Sequence, residues 1–319
     1  MITSICMNPA FDKTVEVDTL TQGATNRIRS VRMDMGGKGI NVAVVAKRLG
    51  MDALCIGCMG EEGAGQLTAL MNREGLPHRF LTVPGAVRTN LKVFSRENRL
   101  VTELNEPGER LDAEDLERFF ALAREEAAHS DYMVLTGSLP PGCPQGTYRS
   151  LIQALPGTKC VLDTEGVELR LGTEAHPFLI KPNLAELEQT LGTELRTLRS
   201  IRDAALIFLR KGVEHVVVSM GAMGAMYVGA ALTLYAPAVK VEARSTVGAG
   251  DAMVGGLLMG LSSQRDCIRG GTGTMLSRMQ PIRSQVWRLG ILSGSVVMTI
   301  ELLPEAAISG SKSAQARAA

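Results

Sequence analysis

Apolar and polar residues follow two different rhythms along this chain. Continuous apolar runs at residues 2–7, 53–56, 132–135, 161–163, 178–180 and 216–220 read as strands buried on both faces. Stretches with helical spacing separate them. After Asp112, a suitable N-cap, Leu116, Phe119, Phe120, Ala123 and Ala127 recur at the helical period. Ala204, Ala205, Ile207, Phe208 and Leu209 mark a second helix. Val42, Val45, Ala46 and Leu49 form the apolar face of a third, with Gly50 as its C-cap. Val254, Leu257, Leu258 and Leu261 outline a fourth. Continuous strands alternating with helices predict an α/β fold, a doubly wound, mostly parallel sheet flanked by helices. Such sheets bind ligands beyond the carboxyl ends of their strands. Asn8, Gly137, Asp163, Lys181 and Ser219 each follow a predicted strand, which would bring them to one edge.

Two regions keep a different beat. Residues 14–17 with 27–33, and 89–95 with 100–104, alternate polar and apolar positions. That period predicts short antiparallel strands with one wet face.

Composition narrows the class. A chain of 319 residues suits one large α/β domain with a small appended element. A formal net charge of +1 offers no footprint for nucleic acid. No apolar run approaches the length of a membrane span. The chain opens directly on a strand-like run, so no signal peptide and a cytoplasmic location are expected. The six cysteines are then read as reduced thiols. Cys55-Ile56-Gly57-Cys58 has metal or redox spacing, but no second Cys pair or nearby His completes a zinc site. Buried structural thiols are the expected role. His78, His129, His176 and His215 are scattered and belong to no site motif.

Two glycine-rich loops carry candidate chemistry. Gly248-Ala249-Gly250-Asp251 precedes the fourth helix. Glycines there let backbone N–H groups turn into one space, and a helix N-terminus adds positive potential. A carboxylate at Asp251 beside a held phosphoryl group could take a proton from a hydroxyl. The same residues also suit a plain turn with Asp251 in the first helical turn. The other loop, Gly36-Gly37-Lys38-Gly39, sets a cation among three glycines at the start of the third helix. It has neither Walker A nor dinucleotide-fingerprint spacing.

Together these loops resemble the two signatures of the PfkB (ribokinase-like) sugar kinases. Asn8-Pro9-Ala10-Phe11-Asp12, Arg88-Thr89-Asn90-Leu91-Lys92, Thr102-Glu103-Leu104-Asn105, the Gly137–Gly142 loop, Lys181-Pro182-Asn183 with Glu186, and Ser219 to Ala225 match in order. The resemblance runs from Met1 to about Gln264. It implies Mg²⁺–ATP as phosphoryl donor and a sugar phosphate as acceptor, with details most like the branch that converts fructose 1-phosphate to fructose 1,6-bisphosphate. A tagatose-6-phosphate kinase of the same family is one alternative. A non-catalytic sugar-phosphate sensor is another.

The resemblance also implies roles. Asp12 would accept from sugar hydroxyls. Gly37, Lys38, Asn41, Arg88, Lys92 and Ser138 would hold sugar and phosphate, with Arg88 the best partner for the existing phosphate. Asp251 would be the general base, and Gly248, Ala249 and Gly250 would frame the anion hole. Lys181, Asn183, Ser219, Gly221 and Gly224 would face the nucleotide. Asn183 and Glu186 also have capping-box spacing, and would reach Mg²⁺ through water. The alternating strands, within about residues 12–34 and 88–105, would form a small β-sheet lid that covers the sugar and can join two copies into a homodimer.

The kinase domain is expected over residues 1–308. Residues 267–287 break the pattern, because Gly270, Gly271, Gly273 and Pro281 oppose a helix and arginines interrupt the apolar face. A local reading-frame change, restored downstream, or divergence would explain it. An apolar pattern returns at residues 289–299, and 309–319 reads as a disordered tail.

Overall fold

The computed structural model describes residues 1–238 and 248–269, with side chains as far as 262 in the last helix. The chain divides into two compact units. One holds Met1–Thr147 and Ala154–Thr158, the other Tyr148–Gln153 and the chain from Lys159 onward.

The first unit runs β1 (Ile2–Cys6), β2 (Ala10–Val17), β3 (Ser30–Gly36), α1 (Lys38–Arg48), β4 (Ala53–Glu62), α2 (Ala64–Arg73), β5 (His78–Ala86), β6 (Arg88–Ser95), β7 (Leu100–Asn105), α3 (Ala113–Ala127) and β8 (Tyr132–Thr136). Strands β8, β1, β4 and β5 lie side by side in that order, all parallel. Every residue of β1 and β8 is buried, the polar Thr3, Ser4 and Thr136 included, as expected of strands covered on both faces. Asp112 caps α3 through a reciprocal capping box with Asp115, so the helix begins where the sequence placed it.

The other four strands form the small sheet, in order β3-β2-β6-β7. Strands β2 and β3 pair antiparallel, as do β6 and β7. Strands β2 and β6 pair parallel, with Asp12 beside Asn90 and Thr14 beside Lys92. Strand alternation then sorts the residues onto two faces. One carries Asp12, Asp34, Asn90, Lys92 and Glu103. The other carries Val15, Val17, Leu91 and Val93, which pack together, flanked by the exposed Val31, Met33, Leu100 and Leu104.

The second unit contains α4 (Thr147–Gln153, its first residue still in the first unit), β9 (Lys159–Asp163), α5 (Gly166–Gly172), β10 (Leu179–Ile180), α6 (Leu184–Leu191), α7 (Leu198–Arg210), β11 (His215–Ser219), β12 (Ala225–Gly229), β13 (Thr233–Ala236) and α8 (Ala249–Arg269). Strands β9, β10 and β11 are parallel, and β12 and β13 extend them antiparallel. The fold is the expected mostly parallel, helix-flanked sheet with a small separate one.

Details differ from the sequence reading. Strand β4 runs six residues beyond the predicted end at Ile56. Gly57 and Gly60 interrupt its apolar run, yet a Cβ at either would collide with backbone, at the Cys6 carbonyl oxygen and at Ala86 respectively. These glycines are packing contacts inside a strand. In α1, Ile40, Val42, Ala43, Val44 and Ala46 are buried, while Val45 and Leu49 lie at the margin. The helix touches β1, β4, β8 and β3, so its buried face is broader than one stripe. Leu49 is its C-cap, and Gly50 takes the left-handed conformation one residue later. Strand β5, absent from the reading, is mostly half-exposed and lacks a clear period.

Cys55 and Cys58 are buried free thiols in β4, and burial pushes Cys58 up to about 12. Among the described residues no helix is long and apolar enough to cross a membrane. Residues 267–269 close α8. The rest of the 267–287 segment, and the readings for 289–299 and 309–319, lie outside the described residues.

Candidate active site

In the first unit, the polar face of the small sheet is built around Asp12. Lys92 Nζ lies 2.6 Å from Asp12 Oδ2. Asn90 Nδ2 donates to Asp12 Oδ1 at 3.1 Å. The Asp12–Asn90 register makes this set, and both partners of the ion pair are largely buried. Lys92 is therefore committed to Asp12, and the carboxylate is held as an oriented acceptor. The absence of a Cβ at Gly36 leaves room for that carboxylate.

Arg88 opens β6. It donates from Nε and Nη2 to the Asn8 carbonyl, at 3.2 and 2.9 Å, and from Nη1 to the Glu106 carbonyl at 2.9 Å. Burial lowers its pKa, and Cys6, Asp12 and Glu106 oppose that shift. The guanidinium expected to grip a phosphate thus spends three donors on backbone carbonyls.

Lys38 is the exposed first residue of α1, a helix whose N-cap, Gly37, has no side-chain cap bond. The first amides of α1 and the Lys38 ammonium together give an anion-attracting surface. The Gly137 backbone passes close to Lys38, with room for a Cβ 3.5 Å from the Lys38 Cβ. Ser138 follows, exposed, with Oγ 3.3 Å from Asn8 Nδ2. Asn41 sits in the second turn, its amide bonded to the Gly37 carbonyl at 3.0 Å.

In the second unit, Gly248 has a φ of 79°, which aims the chain into α8. Its carbonyl accepts from Ala252 N at 2.9 Å, closing the first helical turn. The amides of Ala249, Gly250 and Asp251 precede that bond, in the opening turn of the helix. Asp251 lies in this first turn and is buried. Lys181 is also buried, with Nζ 3.0 Å from Asp163 Oδ1. A Cβ on Gly250 would stand 3.5 Å from that ammonium. The Lys181 ammonium thus lies close to the N-terminus of α8, with the Asp163 carboxylate paired to it and Asp251 in the same first turn.

Asn183 caps α6, and Glu186 completes the box: Asn183 Oδ1 accepts from Glu186 N at 2.9 Å, and Glu186 Oε2 accepts from Asn183 N at 2.8 Å. Asn183 Nδ2 donates to Glu186 Oε1 at 2.6 Å. Among the described residues no three His, Cys, Asp or Glu side chains gather as metal ligands. An anchored carboxylate of this kind fits a cation's water better than the cation itself. Ser219 ends β11 beside Asn183, and Gly221 and Gly224, both at positive φ, turn the chain into β12.

Sequence reasoning missed three participants. Asp163 reads as a strand end in the sequence, and nothing local marks it as the partner of Lys181. Asn90 lies two residues before Lys92 and shares its face, a signal carried by the alternation. Asn8 reads in the sequence only as part of a motif, with no signal for its bonds to Pro107 and Ser138.

A doubly wound sheet with an amide-lined loop and a lysine-bearing glycine loop describes a class of small-molecule kinases. The model of the pfkB family carbohydrate kinases matches residues 3–274. The chain belongs to this family, and membership implies ATP as phosphoryl donor and a sugar or sugar phosphate as acceptor. It is 39% identical over 260 residues to a 1-phosphofructokinase of Rhodobacter capsulatus, covering 81% of this chain and 82% of the relative. A 1-phosphofructokinase of Vibrio cholerae is 36% identical over 261 residues, covering 81% and 82%. Phosphofructokinase-2 from Escherichia coli, solved in complex with fructose-6-phosphate, superposes with a TM-score of 0.78 at 27% identity, over 83% of this chain and 87% of that one.

Proposed function

We propose that this protein transfers the γ-phosphoryl group of ATP to the C6 hydroxyl of fructose 1-phosphate, giving fructose 1,6-bisphosphate. The observation that carries this reading is the 39% identity, over four-fifths of both chains, to a 1-phosphofructokinase. The residues agree chemically. Asp251, buried in the first turn of α8, takes the proton from the attacking hydroxyl. The amides of Ala249, Gly250 and Asp251, beyond the turn at Gly248, stabilise charge on the transferred group. Asp12 accepts from sugar hydroxyls, with Lys92 holding it. Gly37, Lys38, Asn41 and Ser138 bind the sugar phosphate. Arg88 reaches the substrate phosphate by exchanging a carbonyl for it. Lys181, Ser219, Gly221 and Gly224 face the nucleotide.

Asn183 and Glu186 are the residues that would hold Mg²⁺, through its water. When bound, the cation offsets the negative charge of the nucleotide phosphates. One kinase domain spans residues 1–308. Two copies associate through the exposed apolar face of the small sheet. The free thiols among the described side chains suit the reducing cytoplasm.

The test is ADP release by purified protein with Mg²⁺–ATP, comparing fructose 1-phosphate, tagatose 6-phosphate and fructose 6-phosphate. Turnover should be strongest on fructose 1-phosphate. The Asp251→Asn variant should remain folded and lose at least about 100-fold in kcat. Greater turnover on tagatose 6-phosphate would reassign the acceptor. Binding without ADP release would favour a sensor.

A further inference from the structure

Within the first unit the chain crosses four times between the parallel strands and the small sheet: β1 to β2 through Asn8, β3 to α1 through Gly37, β5 to β6 through Val87, and β7 to α3 through residues 106–112. One polar node ties these crossings together, and Asn8 is at its centre. Asn8 is buried. Its carbonyl accepts two bonds from Arg88, whose third bond goes to the Glu106 carbonyl. The Glu106 carboxylate accepts from Thr89 N at 2.7 Å, closing the ring. Asn8 Nδ2 donates to the Pro107 carbonyl at 3.0 Å and to Ser138 Oγ at 3.3 Å. Gly108 has a φ of 90°, and a Cβ there would collide with Asn8 Oδ1. The Cys6 side chain, two residues before Asn8, packs against the start of α1, where a Cβ on Gly39 would lie 2.7 Å from the Cys6 Cβ. A Cβ on Gly37 would sit 2.6 Å from the Cys6 sulfur and 3.3 Å from the Pro9 Cα, so the β3-to-α1 crossing packs beside the same node.

We propose that Asn8 is a positioning residue for the acceptor side of the site, setting the small sheet and Ser138 in place through its side-chain amide. The polarity of that amide matters. Because Ser138 Oγ accepts from Asn8, its own proton is directed elsewhere, toward a bound oxygen. A carboxylate at position 8 would instead demand that proton and face the Pro107 carbonyl without a donor. Asn8 contributes no atom to phosphoryl transfer, so its loss acts on acceptor binding.

This inference rests on the proposed kinase reading, and its test has an arm that does not. Asn8→Asp is isosteric and Asn8→Ala truncates the side chain. Both should raise KM for fructose 1-phosphate about 5- to 10-fold, the worth of one or two net hydrogen bonds. KM for ATP and kcat should stay within about twofold. Amide hydrogen exchange over residues 105–111 should quicken in both variants. An Asn8→Asp variant with wild-type KM and wild-type exchange would overturn the proposal, since shape without donors would then suffice. If the wild type phosphorylates no sugar phosphate, the kinase reading fails. Exchange then decides alone: faster exchange in Asn8→Asp supports the node, and unchanged exchange overturns it.

Discussion

Lys181 and Asp163 are both nearly excluded from water, and their ion pair is held by strand register. Leu179 lies beside Val161 and Ile180 beside Leu162, so one further step sets Lys181 beside Asp163. The lysine was legible as a cation after a strand. Its partner was not, because eighteen positions separate them and only the adjacency of β9 and β10 joins them. Breaking a buried pair strands the remaining charge. Lys181→Met should destabilise the protein by about 3–5 kcal/mol in denaturant unfolding, and adding Asp163→Leu should restore much of that loss. Arg88 teaches a related lesson. Its fork suits a phosphate, but sequence alone could not say that two backbone carbonyls compete for the same donors.

At the scale of elements, the small sheet shows what periodicity conveys. The alternation in residues 14–17, 27–33, 89–95 and 100–104 revealed all four strands and both antiparallel pairs. It did not reveal the parallel pairing of β2 with β6, which alone brings Asp12, Asn90 and Lys92 together. That pairing joins segments about eighty residues apart and leaves no local signal. The opposite face keeps Val31, Met33, Leu100 and Leu104 exposed, an apolar surface suited to a second copy. If the proposed association of two copies uses this face, replacing Val31 and Leu104 together by Asp should shift sedimentation toward a monomer while leaving the melting of the monomer nearly unchanged. A wild type that sediments as a monomer, or a variant that sediments as the wild type does, would remove this face as an interface. Strand β4 ran past its predicted end for a different reason: glycine reads as a strand breaker unless the backbone it touches is known.

For the whole molecule, one contribution to acid response comes from His215, at the opposite end of β11 from Ser219. Its Nδ1 pairs with the Tyr227 hydroxyl at 2.8 Å, and its ring meets Phe178 edge-on. Burial lowers its pKa; Glu214 opposes that shift and Lys159 adds to it. The unfolded chain therefore binds a proton more readily than the folded one. The stability contributed by neutral His215 is complete above about pH 6.5 and is lost as pH falls through that value toward the folded pKa. Melting temperature should fall between pH 7.5 and 5.5, and less steeply in His215→Gln. An equal slope in both would remove His215 as the cause. A different consequence follows from the crowding at the end of β1. Side chains at Gly36, Gly37, Gly39 and Gly57 would strike Asp12, Cys6, Ile5 and Cys6 respectively. Laboratory evolution toward another acceptor would keep all four as glycine and draw its heritable variation from β2 and β6, so new sugar preferences would arise by rewriting the roof over an unchangeable floor.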